Sequence, residues 1–315
     1  LGKNEIEIQE MHNIVEGALE RVNPAVAKSY RDYRNYKLDF IHMMDDVYTK
    51  SQAIRYIGDK SNANTDSALV ATKRSLIFNE LNKELYRKFF MNRNELQACK
   101  DGYIYIHDQS ARLDTMNCCL FDVAAVLSGG FEMGNVWYNE PKTLDTAFDV
   151  MGDIILSTAA QQYGGFTVPE VDKILAPYAK KSYDKYISEF MKYSDESWSG
   201  REERAIEYAL DKVRRDYDQG WQGIEYKLNT VGSSRGDYPF VTVTLGLGTE
   251  QFEKMCTISL LEVHQGGQGK AGHKKPVLFP KIVFLYDKEI HGPGKCCEDI
   301  FEAGVELSLI HISEP

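Results

Sequence analysis

The sequence predicts an α/β protein built around a largely parallel sheet. Two observations carry that expectation. The segments YPFVTVTLGLG (238–248) and PVLFPKIVFLYD (276–287) are β-branched or apolar along their length, as strands buried on both faces are. Long stretches of helical periodicity lie before and between them, and strands that alternate with helices argue for parallel pairing. At 315 residues the chain can bury a large core, as one big domain or two.

Taken in order, residues 5–20 place Ile8, Met11, Val15 and Leu19 on one helical face. Asn23 can cap and Pro24 suits a first helical position, so a second short helix, rich in Tyr and Arg, starts there and makes a helical hairpin. Residues 65–90 read as a further helix. DGYIYIHD then alternates Tyr103, Tyr105 and His107 with Ile104 and Ile106, which is strand periodicity. CCLFDV suits a short buried strand. Residues 143–162 are helical, with Thr143 or Asp145 near the cap. GGFTVPEVDKILAPY breaks that helix and starts another, with Pro169 near its first turn. The charged stretch 179–219 reads as a solvated helix pair, QFEKMCTISLLEVH as a helix and QGGQGKAGHKK as a flexible loop. There is no internal repeat and no low-complexity segment.

Composition excludes several function classes. The net charge of −10 repels a polyanion, so duplex nucleic acid is not an expected partner, whereas a locally basic pocket for a small phosphorylated ligand is compatible with it. No apolar run approaches the roughly 18–20 residues of a membrane span. The start, LGKNEIEIQE, has no Met, no basic n-region and no apolar h-region, so it predicts no signal peptide and marks the sequence as a piece of a longer chain. Six cysteines are too few for a disulfide scaffold and point to a reducing, cytoplasmic setting. With neither CxxC nor HxxxH, no metal site is expected from these residues.

The chemistry-bearing candidates cluster in LDTMNCCLFDV (113–123). Cys118 and Cys119 follow Asn117 inside an apolar run. Successive side chains of a strand face opposite sides, so one thiol should point into a cleft and the other into the surrounding layer. A buried cysteine often serves only as a small apolar residue. A thiol presented at a strand end beside Asn117 could instead be a nucleophile, a redox partner or a hydrogen-atom source. His107 and Asp108 are placed to reach a pocket, or to serve as a partly buried His and a cap. Arg112 and Asp114 could form a structural ion pair. GGQGKAGHKK fails the GxxxxGK[ST] phosphate-loop pattern and reads as an ordinary loop. Cys296 and Cys297, between a turn and a helix, read as surface thiols.

Four blocks in order, IHDQSARLDTMNCCLFDV, QQYGGFTVPEVDKILAPY, YPFVTVTLGLG and PVLFPKIVFLYDKEIHGPGK, resemble the N-terminal half of the anaerobic (class III) ribonucleoside-triphosphate reductase family. The opening hairpin with VNPAVAKSYRDYRNYK resembles the end of an ATP-cone domain. The resemblance divides the chain into an ATP-cone remnant at 1–37 and the N-terminal part of the catalytic barrel at 38–306. It implies an incomplete ten-stranded α/β barrel around a finger loop, and radical removal of the 2′-hydroxyl of ribonucleoside triphosphates. It further implies a glycyl radical made by a partner enzyme that uses S-adenosylmethionine and a 4Fe-4S cluster. Formate is the implied reductant, a homodimer the implied assembly, and ATP, dATP and other deoxynucleoside triphosphates the implied effectors.

In the family the first cysteine of the NCC block stands beside the substrate. That position is Cys118, with Asn117 hydrogen-bonding near substrate or formate and Cys119 packing away; the reverse assignment of the two thiols stays open. His107 and Asp108 are carried as substrate-binding candidates. The finger-loop cysteine, the four-cysteine zinc site and the radical-bearing glycine are expected beyond Glu306, so the chain as given is expected to be inactive. Residues 307–315, LSLIHISEP, resemble the translation of a sequencing adapter and are expected to have no structural role. Two other readings of the sequence compete with this one. One is a different glycyl radical enzyme of the formate-lyase type, against which the ATP-cone resemblance argues. The other is a non-enzymatic nucleotide-binding remnant, against which exposed sheet edges and a half-built core argue.

Overall fold

The computed structural model describes residues 5–57, 69–112, 116–233 and 236–310. The chain divides into two compact units, one formed by residues 1–59 and 73–113, the other by 60–72 and 114–315.

The first unit is helical. Helices α1 (Ile8–Val22) and α2 (Pro24–Ile57) are joined at Asn23, whose side-chain oxygen accepts from the backbone of Ala25 at 3.0 Å and Val26 at 3.4 Å. The second helix is not short: it runs for 34 residues. Glu16 of α1 pairs with Arg31 and Arg34 of α2, and His12 Nδ1 lies 2.6 Å from Tyr30 Oη. Lys50 then ties α2 to α3 (Val70–Phe90) through Glu80 at 3.2 Å and Glu84 at 3.0 Å. A capping box, Asn92 with Glu95, starts α4 (Arg93–Lys100). The strand expected in DGYIYIHD is not formed. Residues 103–105 are irregular, with Tyr103 and Tyr105 more than four-fifths exposed. Alternation alone makes no strand where no neighbouring backbone takes up its hydrogen bonds.

The second unit carries the sheet. Strands β1 (Cys119–Leu120), β4 (Phe166–Val168), β5 (Val241–Leu245) and β6 (Lys281–Phe284) lie side by side in that order, all parallel. Between β1 and β4 come α5 (Val123–Gly129), the hairpin β2 (Phe131–Met133) and β3 (Val136–Tyr138), and α6 (Leu144–Ala159). Helices α7 (Val171–Tyr193) and α8 (Arg201–Thr230) connect β4 to β5, and α9 (Gln251–Gly266) connects β5 to β6. The short α10 (Lys288–His291) and α11 (Glu298–Ile310) follow.

The strand expected in YPFVTVTLGLG is the inner strand β5, whose Val241, Val243 and Leu245 are buried while Thr242 and Thr244 are partly covered. Five other expectations change. PVLFPKIVFLYD supplies β6, an edge strand whose Lys281 and Val283 are exposed, where a strand buried on both faces was expected. CCLFDV contributes only a two-residue edge strand with a partner on one side, which leaves Leu120 79% exposed. GGFTVPEV contains β4, a strand hidden in sequence by its brevity and the proline that follows. The charged helix α8 is not merely solvated. Ala205, Ala209, Val213, Tyr217, Trp221, Ile224 and Leu228 form a buried stripe spaced by about one turn, and the charges other than the buried Glu225 lie outside it. The loop after α9 is not free either, because Gln268 and Lys275 exchange two backbone hydrogen bonds of 2.9 Å.

At the end of the described chain, α11 continues to Ile310 and Leu307 is buried, lining a groove with Leu261, Pro280, Ile282 and Phe284. Leu307 therefore has a packing role that the sequence reading denied it. Residues 311–315, like Asp114, lie outside the described residues.

Candidate active site

The NCC segment is positioned by the first parallel pairing of the sheet. Gly164 N donates to Asn117 O at 2.5 Å, Cys119 N to Gly165 O at 3.0 Å and Phe121 N to Thr167 O at 2.9 Å. This ladder fixes residues 117–119 against Gly164 and Gly165 at the amino ends of β1 and β4. Phe166 N in turn donates to Phe240 O at 2.9 Å, which ties the pair to the inner strand.

The two thiols part company here. Cys118 is exposed, and its Sγ accepts from Gly165 N–H at 3.3 Å while lying 3.8 Å from Asn117 Oδ1. Cys119 is half-buried, packs against the main hydrophobic core and donates its S–H to Gln162 Oε1 at 3.0 Å. Burial, and then the neighbouring Cys118 sulfur, push the Cys119 thiol above the ordinary cysteine range, against a smaller lowering by Gln162. The solvent-facing, reagent-accessible thiol is therefore Cys118, and Cys119 is the packed one.

Two neighbours were not singled out from sequence. Gln162 is almost fully buried; besides receiving the Cys119 thiol it donates from Nε2 to Gly164 O at 3.2 Å. It thus braces both strands of the site. Gly164 supplies space: a Cβ there would overlap Cys118 Sγ and stand 2.5 Å from Asn117 Oδ1. The signal for both was the run QQYGG, a buried amide followed by two glycines just before a strand.

His107 and Asp108 belong to the first unit and pair with each other, Nδ1 to Oδ2 at 2.5 Å. Asp108 adopts a left-handed backbone (φ 53°), and His107 O accepts from the Arg112 guanidinium at 3.3 and 3.4 Å. The Asp114 partner expected for Arg112 lies outside the described residues. Among the described residues no three His, Cys, Asp or Glu side chains gather as a metal-ligand set, and no helix is long and apolar enough to cross a membrane.

Cys296 and Cys297 also differ from expectation, since Cys296 is exposed but Cys297 is completely buried. A buried polar cluster absent from the sequence reading lies under the glycine-rich loop. There Glu225, 0% exposed, holds His264 Nδ1 at 2.8 Å and also receives Gln268 Nε2.

The fold of this chain is shared with solved anaerobic ribonucleotide reductases. The Thermotoga maritima enzyme in complex with dATP and CTP matches over 86% of this chain and 48% of its own, with TM-score 0.51 at 13% identity. The same enzyme with citrate in the active site gives 0.52 at 14% identity, over 52% of its chain. In sequence, residues 61–310 match the family model of anaerobic ribonucleoside-triphosphate reductase. The anaerobic ribonucleoside-triphosphate reductase of Enterobacteria phage T4 is 35% identical over 232 residues, 73% of this chain and 37% of the relative. That of Escherichia coli K12 is 30% identical over 321 aligned positions, 98% of this chain and 43% of the relative. The chain belongs to the anaerobic ribonucleoside-triphosphate reductase family, and it spans about two-fifths of the length of these relatives.

Proposed function

We propose that this chain carries the amino-terminal part of a reductase that converts ribonucleoside triphosphates to 2′-deoxyribonucleoside triphosphates, with Cys118 as its redox-active thiol. The observation that carries the reading is the exposed Cys118 sulfur, seated on the Gly165 amide inside the segment matched by the family. In this reading residues 1–37 are the end of an ATP-cone, residues 38–306 begin a ten-stranded barrel, and ATP, dATP and other deoxynucleoside triphosphates act as effectors on a cytoplasmic homodimer.

A glycyl radical, made by an activating enzyme with S-adenosylmethionine and a 4Fe-4S cluster, supplies one-electron oxidising power in the complete protein, where formate is the reductant and zinc is held elsewhere. What this chain's residues contribute is simpler. Cys118 holds a proton at Sγ and delivers it toward the departing 2′-hydroxyl, which leaves as water. The Gly165 N–H, donating to the same sulfur at 3.3 Å, holds that sulfur in place. Asn117 offers both an amide donor and a carbonyl acceptor to substrate or formate. Cys119, packed and hydrogen-bonded to Gln162, stays protonated and holds the strand in place. His107 and Asp108, paired with each other in the first unit, are carried as separate substrate-binding candidates.

The test is Cys118→Ser in a full-length reductase containing this chain. Turnover should be abolished while the glycyl-radical signal in electron paramagnetic resonance is unchanged. Full activity in that variant would overturn the assignment.

A further inference from the structure

The chain contains two Cys–Cys pairs, and its backbone treats them oppositely. At 118–119 the chain is entering β1 and the thiols find separate partners, Gly165 N for one and Gln162 Oε1 for the other. At 296–297 the chain is in the turn between α10 and α11, and the two sulfurs stand 3.7 Å apart. That is close to van der Waals contact between sulfurs. We propose that Cys296 and Cys297 form a dithiol modification site that takes up small disulfides and closes reversibly into a Cys296–Cys297 disulfide.

The two positions divide the work. Cys296 is exposed and meets the disulfide, whereas Cys297 is 0% exposed and covered from it. Cys297 Sγ has the Gly248 carbonyl 3.6 Å away as its other polar neighbour. Burial, then the adjacent Cys296, raise its pKa to about 11, so it remains a thiol while Cys296 reacts first. Lys254 holds the turn in this geometry, donating to Cys296 O at 2.7 Å and pairing with Asp299 at 2.8 Å.

The steps balance without any further oxidant. The Cys296 thiolate attacks one sulfur of a small disulfide RSSR, whose S–S bond breaks and releases RS⁻. Cys297 Sγ then attacks Cys296 Sγ and expels the second RS group as the thiol RSH, which carries off the Cys297 proton. Two cysteine thiols are oxidised and one external disulfide is reduced to two thiols. Neighbouring Cα atoms lie about 3.8 Å apart across a trans peptide, less than the roughly 4.4 Å lower end of the usual disulfide span. The ring is therefore readily reopened by small thiols, which makes the modification reversible.

Oxidised glutathione is the probe. The full chain is incubated with it, quenched in acid, denatured, alkylated and peptide-mapped. The peptide spanning 296–297 should be recovered two hydrogens lighter and free of alkylation, and should revert with dithiothreitol. The 118–119 peptide should not lose two hydrogens. Cys297→Ser, which keeps a donor for the Gly248 carbonyl, should trap glutathione on residue 296, and Cys296→Ser should abolish uptake at this turn. A stable adduct on Cys296 of the unaltered chain with Cys297 still alkylatable would overturn ring closure. Two unmodified thiols would overturn the site.

Discussion

Cys118 Sγ fills the space that a side chain on Gly164 would need: a Cβ there would overlap the sulfur. Gly164 sits on the strand-side ladder, its N–H bonded to Asn117 O and its carbonyl to Gln162 Nε2, so its backbone has little freedom to retreat. The substitution Gly164→Ala should therefore push the Cys118 side chain away and break its contact with Gly165 N–H. Overpacking of this kind costs about 1–3 kcal/mol, readable as a lowered urea midpoint. The rate at which Cys118 reacts with a maleimide should change at the same time. An unchanged rate would show that the sulfur is not held where Gly164 confines it.

The two thiols of the site should also separate by pH. Burial holds Cys119 above the ordinary thiol range, so its thiolate fraction stays low where an unburied cysteine already reacts. Alkylation of native protein should mark Cys118 first, with Cys119 following only as the pH is raised or the protein unfolds. Peptide mapping after timed iodoacetamide exposure distinguishes the two. Equal rates at neutral pH would mean that Cys119 is not packed as described.

How much of this was legible in the sequence depends on where tertiary neighbours decide. β5 and α9 were readable because an inner strand and its crossover helix carry unbroken patterns. The NCC segment stood out as a candidate because adjacent cysteines in an apolar run are unusual. β4 was missed, since three residues before a proline carry no period. The false strand at 103–107 had the right alternation but no strand beside it. Gln162, Gly164 and the Glu225–His264 pair draw their meaning from residues tens of positions away, and spacing along one chain does not encode that. The contrast between the two cysteine pairs was equally hidden, because it depends on a strand at one and a turn at the other.

Helix α8 offers a paired test of its packing. Phe148 of α6 packs edge-on to Trp221, with ring centroids 5.0 Å apart and planes at 80°, and it lies directly over Gly220. A Cβ on Gly220 would overlap the Phe148 ring, whereas one on Gly223 would meet nothing within 4 Å. Gly220→Ala should destabilise by about 1–3 kcal/mol. Gly223→Ala should stabilise by up to about 1 kcal/mol through helix propensity. Chemical denaturation of the two variants side by side reads the difference, and equal effects would contradict the α6–α8 interface described.

Asp172 gives the last prediction, because its surroundings pull its carboxyl in opposite directions. It is fully buried, and its Oδ2 accepts from Gly246 N at 2.9 Å, Gly248 N at 3.2 Å and Thr257 Oγ1 at 3.3 Å, while Oδ1 accepts from Lys173 N at 3.0 Å. These bonds fix the loop that leaves β5. They favour the charged form, but burial outweighs them and leaves the pKa raised. The native state then keeps this proton to higher pH than the unfolded chain does. Between the ordinary carboxylate range, about pH 4, and the raised native value, folding binds a proton, so this group's contribution to stability falls as pH rises. Asp172→Asn cannot titrate and keeps one carbonyl acceptor for the loop amides, though it loses an acceptor for the others. Its stability relative to the unaltered chain should therefore improve as pH rises from about 4 through the raised native value and level off above it, measured as the difference in urea midpoints. If the difference moves the other way, the four hydrogen bonds outweigh the burial and Asp172 is a depressed, stabilising carboxylate.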